Sequence, residues 1–217
     1  MGTSATDELE PHIKDLITAL EKFKFTKFET VETVADQIRE EYFNLTKPPY
    51  QADRILNKLG IETIQFEPHN INMIASKYDI DFEELDGIYF GNGKKVVCTN
   101  KNKSEFTKAH EIFEHLFYGF RGYKEKHFNC GAAEFLMPEE EFKDEALGYG
   151  YNLHELREIY SNCSPFSISV RLCSLGLVDN VAIKYKEDFK KLRNNVKCNL
   201  KHEYNIGKDY TIWLEWR

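Results

Sequence analysis

The chain has 217 residues, 41% of them hydrophobic and 14% aromatic, enough to bury one sizeable core with a small helical unit appended, and this excludes disorder throughout. Its 29 basic and 36 acidic side chains leave a net charge of -7, which argues against sequence-blind binding to nucleic acid or anionic lipid and favours proteins and peptides as partners. No apolar run reaches the roughly 20 residues that a bilayer requires, and Met1 to Glu10 lack the pattern of a secretion signal. No membrane association is expected. Five scattered cysteines without a Cys-x-x-Cys pair agree with a reducing, cytoplasmic address.

In chain order, Leu9, Ile13, Leu16, Ile17, Leu20 and Phe23 recur at helical spacing and predict a first amphipathic helix. Thr33 with Asp36 three residues on signals the start of a second helix, which Pro48 and Pro49 end. A short third helix from Ala52 should stop at Gly60. From Ile61 to Phe66 the period becomes two, which predicts a strand. Residues 87–98 then read as a hairpin around Asn92-Gly93, giving a small antiparallel sheet. Helical spacing returns over Ser104–Gly119 and again over Glu125–Leu136, where Pro138 ends the helix. The run Glu139-Glu140-Glu141 suits the first turn of a helix begun by that proline. Two short helices follow, around Leu153–Tyr160 and Ser167–Leu175, and residues 210–216 alternate like a strand.

The segment that can do chemistry is His110-Glu111-Ile112-Phe113-Glu114-His115. Zinc hydrolases commonly use His-Glu-x-x-His, because one helical turn brings both imidazoles to one metal and sets the glutamate beside the attacking water. Here the second histidine arrives one residue late. On a regular helix His110 and Glu114 lie about 40° apart, whereas His110 and His115 lie about 140° apart. Three outcomes are open: a π-bulge turns His115 toward the metal, Glu114 ligates in its place, or no metal binds. In the next helix Glu125 and Asn129 share a face, so one can reach a metal while the other orients a ligating histidine. His127 points roughly 160° away from that face and stands as a reserve ligand.

Three blocks together resemble the ImmA/IrrE family of bacterial metallopeptidases. They are Phe106-Thr107-x-Ala109-His110-Glu111, then Glu125-x-x-x-Asn129-x-x-Ala132-Ala133-Glu134-Phe135-Leu136-Met137-Pro138, and Ser167-x-x-x-Arg171-Leu172-x-x-Leu175-Gly176-Leu177. The resemblance implies an α+β, minimal zincin-like fold, a zinc cofactor, and cleavage of a protein substrate, a helix-turn-helix repressor, in mobile-element or stress-response control. It places the first metal ligand at His110, the general base at Glu111 and the third ligand at Glu125. The second histidine of the family falls on Glu114, a departure that keeps a catalytically impaired, protein-binding pseudo-peptidase as the alternative. Four segments are expected: an N-terminal extension over 1–29, a metallopeptidase domain over 30–150, a helix-turn-helix-like segment over 151–180, and a C-terminal extension over 181–217. Residues 153–177 are nearly neutral in charge, which suits a structural or protein-binding role. The strand Val96–Thr99 is expected at a sheet edge, where an extended substrate could pair with it.

Overall fold

The computed structural model describes residues 9–43, 47–65, 87–90, 96–99, 104–178, 180–185, 200–206 and 210–215. The chain divides into two compact units, Met1–Leu136 and Met137–Arg217.

In the first unit, α1 (Leu9–Lys22) buries Leu9, Ile13, Ile17 and Leu20, the stripe its spacing predicts. Helix α2 (Lys27–Phe43) begins six residues before the expected Thr33. The capping box lies at Thr26 and Glu29 instead: the Thr26 N–H donates to Glu29 Oε2 at 2.7 Å, and the Glu29 N–H donates to Thr26 Oγ1 at 3.2 Å. The Thr26 backbone N–H, and then the Thr26 hydroxyl, hold the Glu29 carboxyl below the usual range. Thr33, inside the helix, turns its hydroxyl back to the Glu29 carbonyl, 2.7 Å away. Helix α3 (Ala52–Lys58) follows, and Gly60 takes the positive φ of 66° that the exit of the helix requires.

Strands β1 (Glu62–Gln65), β2 (Gly87–Phe90) and β3 (Val96–Thr99) form a sheet in the order β1-β3-β2. The pairing of β2 with β3 is antiparallel, but β1 runs parallel to β3, with Glu62 opposite Val96. The Asn92-Gly93 turn lies outside the described residues. Two expectations are thereby corrected. The sheet is mixed rather than antiparallel, and β3 is its central strand, with both backbone edges already paired, so no substrate can add to it there.

Helices α4 (Ser104–Phe117) and α5 (Glu125–Leu136) complete this unit. They approach so closely that a Cβ added at Gly131 would lie 2.4 Å from Phe113 Cδ1. Polar anchors set their positions. Buried Arg39 of α2 donates to the Glu134 carbonyl of α5, and Lys108 Nζ of α4 lies 2.6 Å from Asp53 Oδ2 of α3. Glu105 Oε2 accepts from the Ala52 N–H at 2.9 Å, which satisfies a backbone donor in the first turn of α3.

The second unit holds α6 (Glu139–Gly148), α7 (Leu153–Ile159) and α8 (Pro165–Ser174), then β4 (Asn180–Tyr185), β5 (Leu200–Ile206) and β6 (Tyr210–Glu215). Pro138 precedes the acidic first turn of α6. Helix α8 starts at Pro165 behind the Ser164 cap, two residues before the expected start. The three strands form an antiparallel sheet in the order β4-β6-β5.

Helices account for most of the described residues. This overturns the expected α+β, minimal zincin-like architecture. The reason is physical: α1, α2, α4 and α5 bury a continuous apolar core against one another, with Ile13, Val34, Ile38, Phe113, Leu116 and Phe135 all at 1% exposure or less. In the first unit the three four-residue strands are an accessory to that core.

Candidate metal site

Helix α4 is regular over its whole length, with no π-bulge to turn His115. His115 is buried, and its Nε2 lies 3.3 Å from Glu10 Oε2 of α1. It therefore belongs to the packing of α1 on α4, and its place among the expected ligands is corrected. His127 leaves the ligand set as well. Its ring centroid lies 4.8 Å from that of Phe28, tilted, and 5.8 Å from that of Tyr123, edge-on, and its Nδ1 accepts from the Lys124 N–H at 2.9 Å.

The regular helix instead brings His110, Glu111 and Glu114 together, with one ligand atom from each lying within 4.8 Å of the others. Helix α5 supplies two groups to His110 from the opposite side. Asn129 Oδ1 lies 2.9 Å from His110 Nδ1, and Glu125 Oε2 lies 3.1 Å from His110 Nε2. Glu125 is 76% exposed, so its carboxylate is free to adjust its aim. The edge of the Phe128 ring packs against the imidazole at 5.9 Å. An i, i+4 pair on each helix thus meets across the α4–α5 interface.

The electrostatics are those of a site short of positive charge. Three carboxyls surround one imidazole. Burial, and then the negative charges of Glu114 and Glu125, push the Glu111 carboxyl up to about 8. Glu111 Oε2 is buried and makes no hydrogen bond of ordinary geometry to any described residue. When Asn129 Oδ1 accepts the Nδ1 proton, the Nε2 lone pair of a neutral His110 points at the lone pairs of Glu125 Oε2. Two acceptors 3.1 Å apart repel unless a cation, a proton or a metal ion, stands between or beside them. The donor set of one imidazole and two or three carboxylates suits a borderline divalent ion such as zinc and makes its retention sensitive to acid.

No protein-family model matches the chain, and no curated protein matches it. Among solved structures it is similar to a Mycobacterium tuberculosis transcriptional regulator, at 13% sequence identity and a TM-score of 0.47, over 76% of this chain and 51% of that one. The chain thus spans about half the length of that protein, and the likeness is too slight to carry an argument. Among the described residues, no helix is long and apolar enough to cross a membrane.

Proposed function

We propose that the chain is a zinc-dependent endopeptidase acting in the cytoplasm on a protein substrate. The ImmA/IrrE resemblance suggests that the substrate is a helix-turn-helix repressor. The observation that carries the reading is the approach of His110 Nε2 to Glu125 Oε2, beside a buried Glu111 whose Oε2 has no ordinary hydrogen bond to any described residue. Zinc would be held by His110, Glu114 and Glu125. When bound, it polarises a peptide carbonyl and makes a nearby water more acidic.

The remaining work falls to the side chains. Asn129 fixes the His110 ring and selects the tautomer whose Nε2 can ligate. Glu111, once ionised, takes a proton from the attacking water at a carboxylate oxygen and returns it to the departing amine. Its burial keeps bulk water from competing for that proton. Because Glu111 holds its own proton up to about 8, the base becomes competent only when a cation lowers that value.

A second reading, a pseudo-peptidase that binds a partner without cutting it, draws on the same observation. Glu114 stands where the family has a histidine, and a site with an extra carboxylate can settle by keeping a proton on Glu111. Metal analysis of the purified protein, followed by incubation with a candidate repressor, separates the two. Stoichiometric zinc with cleavage by wild type and none by Glu111→Gln supports the hydrolase. Binding of the repressor without cleavage, at any zinc loading, supports the regulator.

A further inference from the structure

The turn between α1 and α2 reads Lys22-Phe23-Lys24-Phe25-Thr26-Lys27-Phe28, and its aromatic rings face solvent. Phe23 is 78% exposed, Phe25 44% and Phe28 40%. Keeping one such ring in water forgoes about 1.5–3 kcal/mol of burial, and three within six positions form a patch rather than scattered exposure.

The loop between α4 and α5 lies against this turn. Lys27 Nζ sits 4.1 Å from the centroid of the Tyr123 ring, and Lys126 Nζ sits 5.3 Å from that of Phe28. Lys27 and Lys126 thus link the two segments, and Lys22, Lys24, Arg121 and Lys124 stand within five residues of them in the chain. Within a chain of net charge -7, cations gather around exposed aromatic rings. The acids of the turn are engaged, Glu21 with Lys27 and Glu29 with the Thr26 cap. Glu125 of the candidate metal site stands between Lys124 and Lys126 in the chain, so the patch adjoins that site.

We propose that this surface binds an acidic polypeptide segment whose carboxylates alternate with apolar side chains, and that it seats the substrate beside the metal site. The placement of the substrate rests on the peptidase reading, whereas the affinity for acidic peptide does not. Carboxylates pair with the lysines while leucine or aromatic side chains cover Phe23 and Phe25. A polypeptide fits better than nucleic acid or a membrane for a reason of range. A short peptide feels the field within a Debye length of about 8 Å, but a polyanion or a charged bilayer also meets the acidic remainder of the chain.

The test uses the full chain carrying Glu111→Gln, without zinc, so that no probe is consumed. A short fluorescein-labelled peptide alternating Glu and Leu should bind, and more weakly as salt is added. Phe23→Ser combined with Lys126→Glu, both at exposed positions, should weaken it about tenfold or more, equivalent to 1.4 kcal/mol. Should that variant misfold by circular dichroism, Phe25→Ser with Lys24→Glu serves instead. Equal binding by wild type and variant, equal binding of a Lys–Leu peptide, or tighter binding of oligo-dT or anionic vesicles overturns the proposal. Peptide binding in a protein that takes up no zinc would leave this surface standing and remove the peptidase reading. Zinc uptake and cleavage without peptide binding would do the reverse.

Discussion

Asn129 Oδ1 accepts a hydrogen bond from His110 Nδ1 across 2.9 Å, joining α5 to α4 at the centre of the candidate site. That contact decides which imidazole nitrogen faces the carboxylates. Without it the ring is free to rotate and either tautomer is accessible.

Asn129→Ala should therefore lower zinc affinity by about 10–100-fold while leaving the fold intact, as expected for a group that orients a ligand. Competition against a chromophoric chelator measures this. An affinity within twofold of wild type would show that His110 is held by other means.

The two neighbours at the end of the motif should behave differently. Glu114→Gln removes a carboxylate from the cluster and should cost zinc affinity at least as much as the loss of Asn129. His115→Gln should leave zinc affinity unchanged, because its imidazole is occupied with Glu10 of α1. Loss of zinc in the His115 variant would restore the ligand role that the regular helix denies it.

The zinc-free protein should lose stability as pH rises. An unfolded chain releases the Glu111 proton near 4.5, whereas the folded chain keeps it until about 8. Between those values the unfolded state gains by ionising and the folded state does not, so the contribution of Glu111 to stability is fully present below 4.5 and is lost progressively up to 8. The upper bound is about 5 kcal/mol, since each pH unit contributes about 1.4 kcal/mol. Thermal melts across this range should show the slope in wild type and its flattening in Glu111→Gln. Zinc should reverse the trend, because its binding requires the proton to leave. An equal slope in both proteins would place the titrating group elsewhere.

Gly131→Ala should destabilise the protein despite a gain of about 1 kcal/mol in helix propensity. The added methyl would meet Phe113 Cδ1 at 2.4 Å and Cε1 at 2.6 Å, and a buried ring cannot move without disturbing α4. A net loss of about 1–2 kcal/mol in urea denaturation is expected, in the usual range for overpacking. Zinc affinity should fall with it, since the clash wedges apart the two helices that share the site. A stabilised variant would mean that α4 and α5 pack less closely.

Helix existence was legible wherever an apolar stripe ran for several turns, as Leu9, Ile13 and Ile17 show, because burial of that stripe needs only its local spacing. Helix starts were less so. Thr33 and Thr26 both precede an acid by three residues, and only the path of the incoming chain decides which pair closes a capping box. The antiparallel pairing of β2 with β3 could be read from alternation around the Asn-Gly pair, but the parallel partner β1 could not, since nothing in its four residues specifies which strand it meets.

By itself the sequence determined the ingredients of the site and their angular order: His110 and Glu114 on one stripe of a helix, and Glu125 and Asn129 on one stripe of the next. Those relations follow from the fixed 100° step of the α-helix and require no knowledge of neighbours. Tertiary structure decided everything that depends on what lies opposite a side chain. It sent His115 to Glu10 and His127 to Phe28 and Tyr123, gave Glu125 and Asn129 to His110, and buried Glu111 among like charges. A histidine's role is set by the groups within hydrogen-bond reach, and those come from segments distant in the chain, which local spacing cannot place.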